Sequence, residues 1–336
     1  MLIKCHLSSQ FLSLLRKTPS SLFLSTLFLF ILLILPAWLN AQAIPSCVNP
    51  STYIQISVPA NTTVSITSST ISGTGLLIPW PGSSTVAQKV IFEGSGKVEF
   101  DYSYTFAPGS DIVFNDLNAN AGVIEGGFIV SSGATLTLLS GTYGTGSGTR
   151  VRGCYSMFDG ITVETGSSLS IAAGCNLEDA FSAVTLEDQS SLTANGVIFK
   201  KNYIGILSQS PTSGGSRINI SLSLTGNEFY GHNLLEETCL NQDYPHHAIF
   251  AQDVVNVNID ASSTPSSPNL FANFKQTYSV FFPPIPIGAT NSNLTVKNAH
   301  FTGNGQLPIG GLADKPNSCI TSLNLYSVCL FSQCRA

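Results

Sequence analysis

Two glutamates at matching positions of a repeated segment are the first residues that could do chemistry. Glu164 follows GITV, and Glu187 follows AVTL at the matching place one repeat later. Neighbouring β-strands lie about 4.8 Å apart, so stacked repeats would place both carboxylates on one outer face. Carboxylates that close repel unless a cation or a raised pKa relieves them. The pair is a candidate Ca²⁺ or glycan site, and the alternative is two solvated residues on the surface of a rod.

Cleavage of a polysaccharide would need carboxylates placed around the bond that breaks. Hydrolases set two carboxylates across a glycosidic bond, whereas lyases use carboxylates to hold Ca²⁺ and a basic residue to abstract a proton. Glu178 and Asp179 are further acids in the same region. The candidate catalytic residues are Glu164, Glu187, Asp188 and Lys200.

A polar, weakly periodic stretch, HNLLEETCLNQDYPHHAIF, begins at His232. Its histidines and acids could bind a metal or act as acid and base. The spacing matches no zinc site, and adjacent histidines on one strand would point to opposite faces. We therefore interpret the stretch as a loop inserted at a turn, with metal binding as the alternative. The candidate metal ligands are Glu164, Glu187, His232, Asp243 and His246.

Two arginines alternate in the segment GTRVRGC. In a strand, Arg150 and Arg152 would point to the same face and could meet a carboxylated sugar. The alternative is a salt bridge from these arginines to Asp159 or Glu178.

The eight cysteines form no CxxC pair, so neither a redox nor a zinc motif is indicated, and disulfides between neighbouring repeats remain open.

The elements that would position these residues are short repeated strands. Gly160–Val184 can be laid over the segment that follows it, which gives a unit of 22–23 residues with three short alternating runs. An upstream match places Ile112 and Leu136 at an offset of 24. The main matches are Ile161 with Val184, Val163 with Leu186, Leu169 with Leu192 and, after a slip of one residue, Leu177 with Phe199.

This period predicts an all-β solenoid. Leucine-rich repeats share the period, but their L-x-x-L-x-L-x-x-N frame is absent. Three short strands in each unit of 22–24 residues favour a parallel β-helix, in which every coil hydrogen-bonds to the next. Segments beginning at Phe199, Phe229 and Phe301 continue the pattern. Asn202 and Asn304, at the ends of two of these segments, are candidates for an asparagine ladder at a turn.

The segment GCYSMFDGI, followed by GSSLSI and LEDAFSAV, resembles the right-handed parallel β-helix proteins secreted by Bacteroidetes-type bacteria, whose fold is like that of pectate lyases. Phe158 stands where tryptophan is usual in that family. The resemblance implies a right-handed β-helix, and it implies little about activity. Such proteins often carry a C-terminal sorting domain for surface attachment. Residues 306–336 are too short for that domain, so we expect either a truncated tail or a different route of export.

The N-terminus and the charge indicate the compartment. Lys4, Arg16 and Lys17 precede an apolar run and small residues at Ala41 and Ala43, which predicts a secretory signal peptide over residues 1–43. A retained membrane anchor is the alternative; after cleavage no membrane span is expected. The chain has 14 basic and 19 acidic residues, and losing three bases leaves a net charge of about −8, which argues against nucleic acid as a partner.

The expected organisation is a β-rich N-terminal cap over residues 44–88, a parallel β-helix over 89–305 and the tail. Two functions remain open. The first is a non-catalytic extracellular or cell-surface protein, an adhesin-like or glycan-binding rod whose ligand is a polysaccharide or another surface. The second is a lyase or hydrolase that acts on an acidic polysaccharide. No cofactor other than Ca²⁺ is expected. Open sheet edges at the ends of the rod predict end-to-end self-association.

Overall fold

The structure, a computed structural model, describes residues 48–67, 70–71, 86–115, 126–140, 148–154, 157–210, 216–231, 247–260, 267–276, 285–302, 305–306 and 320–323. The expected signal peptide lies outside the described residues. Those residues form 28 β-strands and one short 3-10 helix, η1 (Pro50–Thr52), all within the unit Val48–Ala336. Alternating β-branched and small polar residues explain why strands dominate.

Nine parallel strands form the first sheet, here called sheet 1. In spatial order they are β1 (Ile54–Ser57), β4 (Lys89–Glu93), β7 (Asp111–Asn115), β10 (Arg150–Gly153), β13 (Asn176–Glu178), β16 (Ile198–Lys200), β19 (Glu228–Tyr230), β22 (Asn269–Ala272) and β26 (Ala299–Thr302).

Ten strands form sheet 2, and all of its pairs are parallel except β2 with β3. In chain order they are β2 (Thr63–Thr67), β3 (Thr70–Ile71), β5 (Lys97–Phe100), β8 (Gly127–Val130), β11 (Phe158–Val163), β14 (Ala180–Leu186), β17 (Ile204–Gln209), β20 (His247–Gln252), β24 (Ile285–Thr290) and β28 (Ile320–Leu323).

Five strands form sheet 3, and two parallel pairs complete the described sheets. Sheet 3 contains β6 (Tyr104–Phe106), β9 (Thr135–Leu138), β12 (Ser168–Ile171), β15 (Ser191–Asn195) and β18 (Ser221–Thr225). The pairs are β21 (Val257–Asp260) with β25 (Leu294–Lys297), and β23 (Lys275–Gln276) with β27 (Gly305–Gln306).

The chain contributes one strand to each of the three sheets in turn, and each such set of three strands is one coil. From β4 to β18 the order is sheet 1, sheet 2, sheet 3, repeated five times, and each strand from β4 to β17 pairs in parallel with its counterpart in the next coil. The predicted parallel β-helix with three strands in a coil is therefore confirmed. At the N-terminal end, β1 and β2 pair in parallel with β4 and β5, and at the other end β28 pairs with β24.

The repeat register is confirmed, and its one-residue slip lies in the turn between sheets 3 and 1. Leu169 pairs with Leu192, whereas Leu177 pairs with Phe199, so the offset changes by one residue within that turn. A second change of register, which the sequence did not indicate, is a bulge between Gly160, which pairs with Ser182, and Ile161, which pairs with Val184. Insertions of single residues are accommodated at bulges and turns without disturbing the inward-facing positions.

The upstream match at offset 24 is wrong. Ile112 lies in sheet 1 beside Val151, and Leu136 lies in sheet 3 beside Leu169. Both segments consist of a glycine turn followed by an alternating strand, and such segments occur at more than one corner of each coil. Local pattern alone therefore cannot assign a segment to its sheet.

Inward-facing side chains of all three sheets form one continuous apolar core. Phenylalanines fill one of its columns in four successive strands of sheet 1. Phe229 stacks on Phe199 with ring centroids 4.6 Å apart and on Phe271 at 5.0 Å, and Phe301 follows at 5.0 Å. The stacking repeats at close to the strand spacing, so each coil supports the next.

Asparagine side chains hold two corners together. At the corner from sheet 3 to sheet 1, Asn227 Oδ1 accepts from the Val197 amide at 3.0 Å, and Asn269 Oδ1 accepts from the Asn227 amide at 3.0 Å. At the corner from sheet 1 to sheet 2, Asn202 Oδ1 accepts from the Ala180 amide at 2.9 Å. The predicted partner of Asn202, residue 304, lies outside the described residues. No described helix is long and apolar enough to cross a membrane.

Candidate functional site

The outer face of sheet 1 carries charged side chains in adjacent coils. The alternation of RVR in β10 buries Val151 in the core and places Arg150 and Arg152 on the outside, as predicted. Neighbouring strands add Asp111 in β7 and Glu178 in β13. The charges face each other across strands, which is the arrangement in which cross-strand pairs interact.

Glu178 lies between two cations from different coils. Arg150 Nη2 donates to Glu178 Oε2 at 2.8 Å and Arg150 Nε donates to Oε1 at 3.1 Å, so this pair is bidentate. Lys200 Nζ lies 3.1 Å from Glu178 Oε1 on the opposite side. The Glu178 side chain is 3% exposed, against 39% for Arg150 and 34% for Lys200. The predicted salt bridge from Arg150 to Glu178 is confirmed.

Arg152 pairs with Asp111, which the sequence did not indicate. Arg152 Nη2 donates to Asp111 Oδ2 at 3.2 Å, and the Tyr53 hydroxyl donates to the same oxygen at 2.6 Å. Burial and the hydrogen bond to Asp111 raise the pKa of Tyr53 to about 12. Asp159, the other predicted partner, pairs with Lys97. Tyr53 precedes β1 and Asp111 begins β7, and in the sheet only β4 lies between these two strands. The two residues are 58 positions apart in the sequence, and no local sequence signal marks their contact.

Asp179 occupies the corner from sheet 1 to sheet 2, directly after Glu178. Its backbone is left-handed, with φ of 58°, and the residue is only 7% exposed. Within the described part of the chain, its buried Oδ1 has no hydrogen-bond partner. Burial raises the pKa of this carboxyl to about 6; Lys201 lowers it and Glu178 raises it. A buried carboxyl with a perturbed pKa beside a charge cluster marks a candidate functional group.

The next coil repeats this corner with cations. Lys200 pairs with Glu178 in the strand register, and Lys201 has the same left-handed backbone as Asp179, with φ of 56°. Asn202 follows and donates from Nδ2 to the Leu177 carbonyl at 2.9 Å. The corner is therefore held by backbone and side-chain hydrogen bonds, and both lysines are partly exposed there.

Glu164 and Glu187 lie at a different corner, at the end of sheet 2. They follow the paired residues Val163 and Leu186, so the predicted adjacency is confirmed. Burial, and then the charge of Glu187, raise the pKa of Glu164. Glu187 Oε2 accepts from the backbone amide of Thr165 at 3.2 Å. Glu187 therefore stabilises the turn of the preceding coil.

The remaining predicted site residues do not join that pair. Asp188 Oδ1 accepts from the Asn219 amide at 2.8 Å and so stabilises another turn. Lys200 lies in sheet 1, whereas Glu187 follows a strand of sheet 2. Among the described residues, no group of three or more His, Cys, Asp or Glu could hold a metal ion. The predicted ligands His232, Asp243 and His246 lie outside the described residues.

The described cysteines are structural. Cys154 is disulfide-bonded. Cys175 is a buried thiol whose Sγ lies 3.6 Å from the Leu138 carbonyl oxygen and 3.5 Å from that of Leu139. Burial raises the pKa of Cys175 to about 11, so this thiol is not a reactive nucleophile near neutral pH.

No family model, curated protein or solved structure matches this chain. The arrangement that stands out is the outer face of sheet 1 next to its corner with sheet 2, where the buried Glu178 is paired with the more exposed Arg150 and Lys200 and is followed by the buried Asp179.

Proposed function

We propose that this chain is a non-catalytic extracellular or cell-surface rod that binds glycans in the manner of an adhesin. One observation carries the proposal: outward side chains of successive coils form cross-coil pairs on a continuous parallel sheet, and at Glu178 both paired cations, Arg150 and Lys200, are more exposed than the acid. A polymer lying along the rod would meet side chains repeated about every 4.8 Å.

The engagement of the acids supports a binding role over a catalytic one. Glu187 and Asp188 accept hydrogen bonds from backbone amides of neighbouring coils, and Glu178 is neutralised by Arg150 and Lys200. A general acid or nucleophile has to reach the scissile bond with a free carboxyl oxygen. These carboxyls instead stabilise turns and strand pairs.

The test is a panel of soluble and insoluble polysaccharides offered to the purified full chain, with and without Ca²⁺. Retention on one or more insoluble glycans, without new reducing ends or unsaturated-uronide absorbance, is the expected result. Absence of binding across the panel would contradict the proposal. Unchanged retention after removal of Ca²⁺ would further assign binding to the protein's own side chains.

A polysaccharide lyase or hydrolase is the second candidate, and Asp179 favours it. A carboxyl with a pKa of about 6, buried beside cations, resembles the groups that act as acids or bases near neutral pH. Cleavage products in the same panel, abolished by Asp179→Asn and retained in Glu187→Gln, would establish this function in place of the first.

A further inference from the structure

The corner of sheets 1 and 2 presents positive charge, although the chain as a whole is negative. We define the cation ridge as Arg150, Lys200 and Lys201. Arg150 and Lys200 are about a third exposed, whereas their common partner Glu178 is almost fully buried. A ligand approaching from solvent therefore meets the cations first.

We infer that the cation ridge binds carboxylate groups of an acidic polysaccharide, and that Asp179 is its internal counter-charge, whose protonation strengthens binding. This inference rests on the proposed glycan-binding function and names the ligand class and the regulation of the site. The unpartnered, buried Oδ1 of Asp179 is the observation independent of the cations, because buried carboxylate oxygens are ordinarily hydrogen-bonded.

The charged groups of Arg150 and Lys200 converge on one acid. Arg150 lies in β10 and Lys200 in β16, with β13 between them, yet Arg150 Nε and Lys200 Nζ each lie 3.1 Å from the same oxygen, Glu178 Oε1. The hydrogen-bonded sheet holds both side chains close together, so a carboxylate of an acidic sugar can approach both cations without ordering a loop.

The charged groups that act on Asp179 come from three coils. Lys201, Arg150 and Arg152 stabilise its charged form, and Glu178 opposes that form. When Asp179 is ionised it cancels part of the field of the ridge, and when it is protonated that field is fully available to a bound anion. Binding is therefore expected to tighten as the pH falls through the range in which Asp179 gains its proton.

The ligand experiment measures affinity of the full chain for polygalacturonate and for its fully methyl-esterified form, which lacks the charges. We expect binding to the acid form, weakened by added salt, and little to the ester. Lys201→Asn keeps a residue that tolerates the left-handed backbone and should weaken binding about two- to fivefold. Lys297→Gln removes an exposed lysine on β25 and should leave affinity unchanged.

The regulatory experiment repeats the titration at pH 5 and pH 7.5. Tighter binding at pH 5 is expected for the wild type, and Asp179→Asn should bind at both pH values as the wild type does at pH 5. The same pH dependence in Asp179→Asn would overturn the role of Asp179 and leave the glycan-binding function intact. Binding to the methyl ester as tight as to the acid would overturn the carboxylate assignment.

Two further outcomes distinguish a failure of this inference from a failure of the proposed glycan-binding function. Retention only on neutral glycans would overturn the ligand class while supporting a glycan-binding rod. Preference for poly-L-glutamate over polygalacturonate would identify an acidic protein as the partner and overturn both. A folded Lys201→Asn variant, judged by its circular dichroism spectrum, shows that a loss of affinity comes from the charge.

Discussion

Tyr53 and Asp111 are joined across an intervening strand. The Tyr53 hydroxyl donates to Asp111 Oδ2 at 2.6 Å, although β4 lies between β1, which Tyr53 precedes, and β7, which Asp111 begins. Lys89 in β4 holds its Nζ 5.9 Å from the centre of the Tyr53 ring. The first coil is thus tied to the third by a side chain as well as by the strand ladder.

Loss of this hydroxyl should loosen the N-terminal coil. Tyr53→Phe removes a hydrogen bond to a carboxylate that Arg152 still holds, and we expect a loss of about 1–2 kcal/mol in the free energy of unfolding. Urea denaturation measures the loss, and hydrogen exchange in β1 locates it. Tyr230→Phe is the control, because the Tyr230 hydroxyl donates to Glu228, two residues away in the same strand. Equal effects of both changes would contradict the role assigned to Tyr53.

Gly160 is expected to be intolerant of any side chain. Its φ is +109°, and a Cβ there would overlap the carbonyl oxygen of Ser182 in the next coil. Gly160→Ala should cost about 3 kcal/mol or more, or prevent folding. Gly133 also has a positive φ, of 81°, but a Cβ there meets no atom within 4 Å. Gly133→Ala should therefore show only the backbone cost, about 1–2 kcal/mol, and thermal unfolding of the pair separates the two contributions.

Asn227 is expected to be the most sensitive polar residue of the described interior. Its Oδ1 accepts from Val197 N, and its Nδ2 donates to the Ala194 carbonyl at 3.0 Å. Asn227→Ala leaves buried backbone groups unpaired, which should lower the free energy of unfolding by about 2–4 kcal/mol. Asn195→Ala removes an exposed asparagine one coil earlier and should change it by less than about 0.5 kcal/mol. A small effect at Asn227 in chemical denaturation would show that water replaces its hydrogen bonds.

Asp179 should make stability fall as pH rises. Its folded pKa of about 6 lies above its ordinary value of 3.8, so the folded state binds the proton more tightly than the unfolded state between these values. The contribution of this group to stability is therefore greatest below about pH 4 and is lost as pH rises through 6, by about 2–3 kcal/mol in total. Asp179→Asn should be more stable than the wild type at pH 7, by a margin that shrinks towards pH 4.

A second variant tests the direction of this pH dependence. Lys201 lowers the pKa of Asp179, so Lys201→Asn should raise that pKa and move the stability loss to higher pH. Urea midpoints measured at half-unit pH intervals would show the shift. A margin between Asp179→Asn and the wild type that stays constant with pH would mean that Asp179 does not titrate in this range.

The strand register was partly predictable because the repeated sequence segments form equivalent strands in successive coils. Strands stacked in parallel place equivalent residues above one another, so the matches of Ile161 with Val184 and of Leu177 with Phe199 were visible in the sequence. The pair Glu164 and Glu187 followed from the same register. The match of Ile112 with Leu136 failed because similar turns precede strands in different sheets.

The candidate site was predictable only in pieces. The alternation of Arg150 and Arg152 indicated one outward face, and Glu178 was a foreseen partner. The separate partner of Arg152, and the burial of Asp179 at a left-handed corner, depend on how inserted residues shift one coil over the next. Those shifts are set by bulges and turns, which the periodic pattern does not encode.

The sequence by itself determined that this chain is an all-β parallel solenoid and which faces its strands present, because a side-chain period of two and a repeat of 22–24 residues admit few other folds. The tertiary structure decided which charges meet. Residues 53, 111 and 152 share one cluster, whereas Glu187 and Lys200 lie at different corners. The physical reason is that charged side chains interact only over short distances in space, whereas the strand register that brings them together joins residues many tens of positions apart in the sequence.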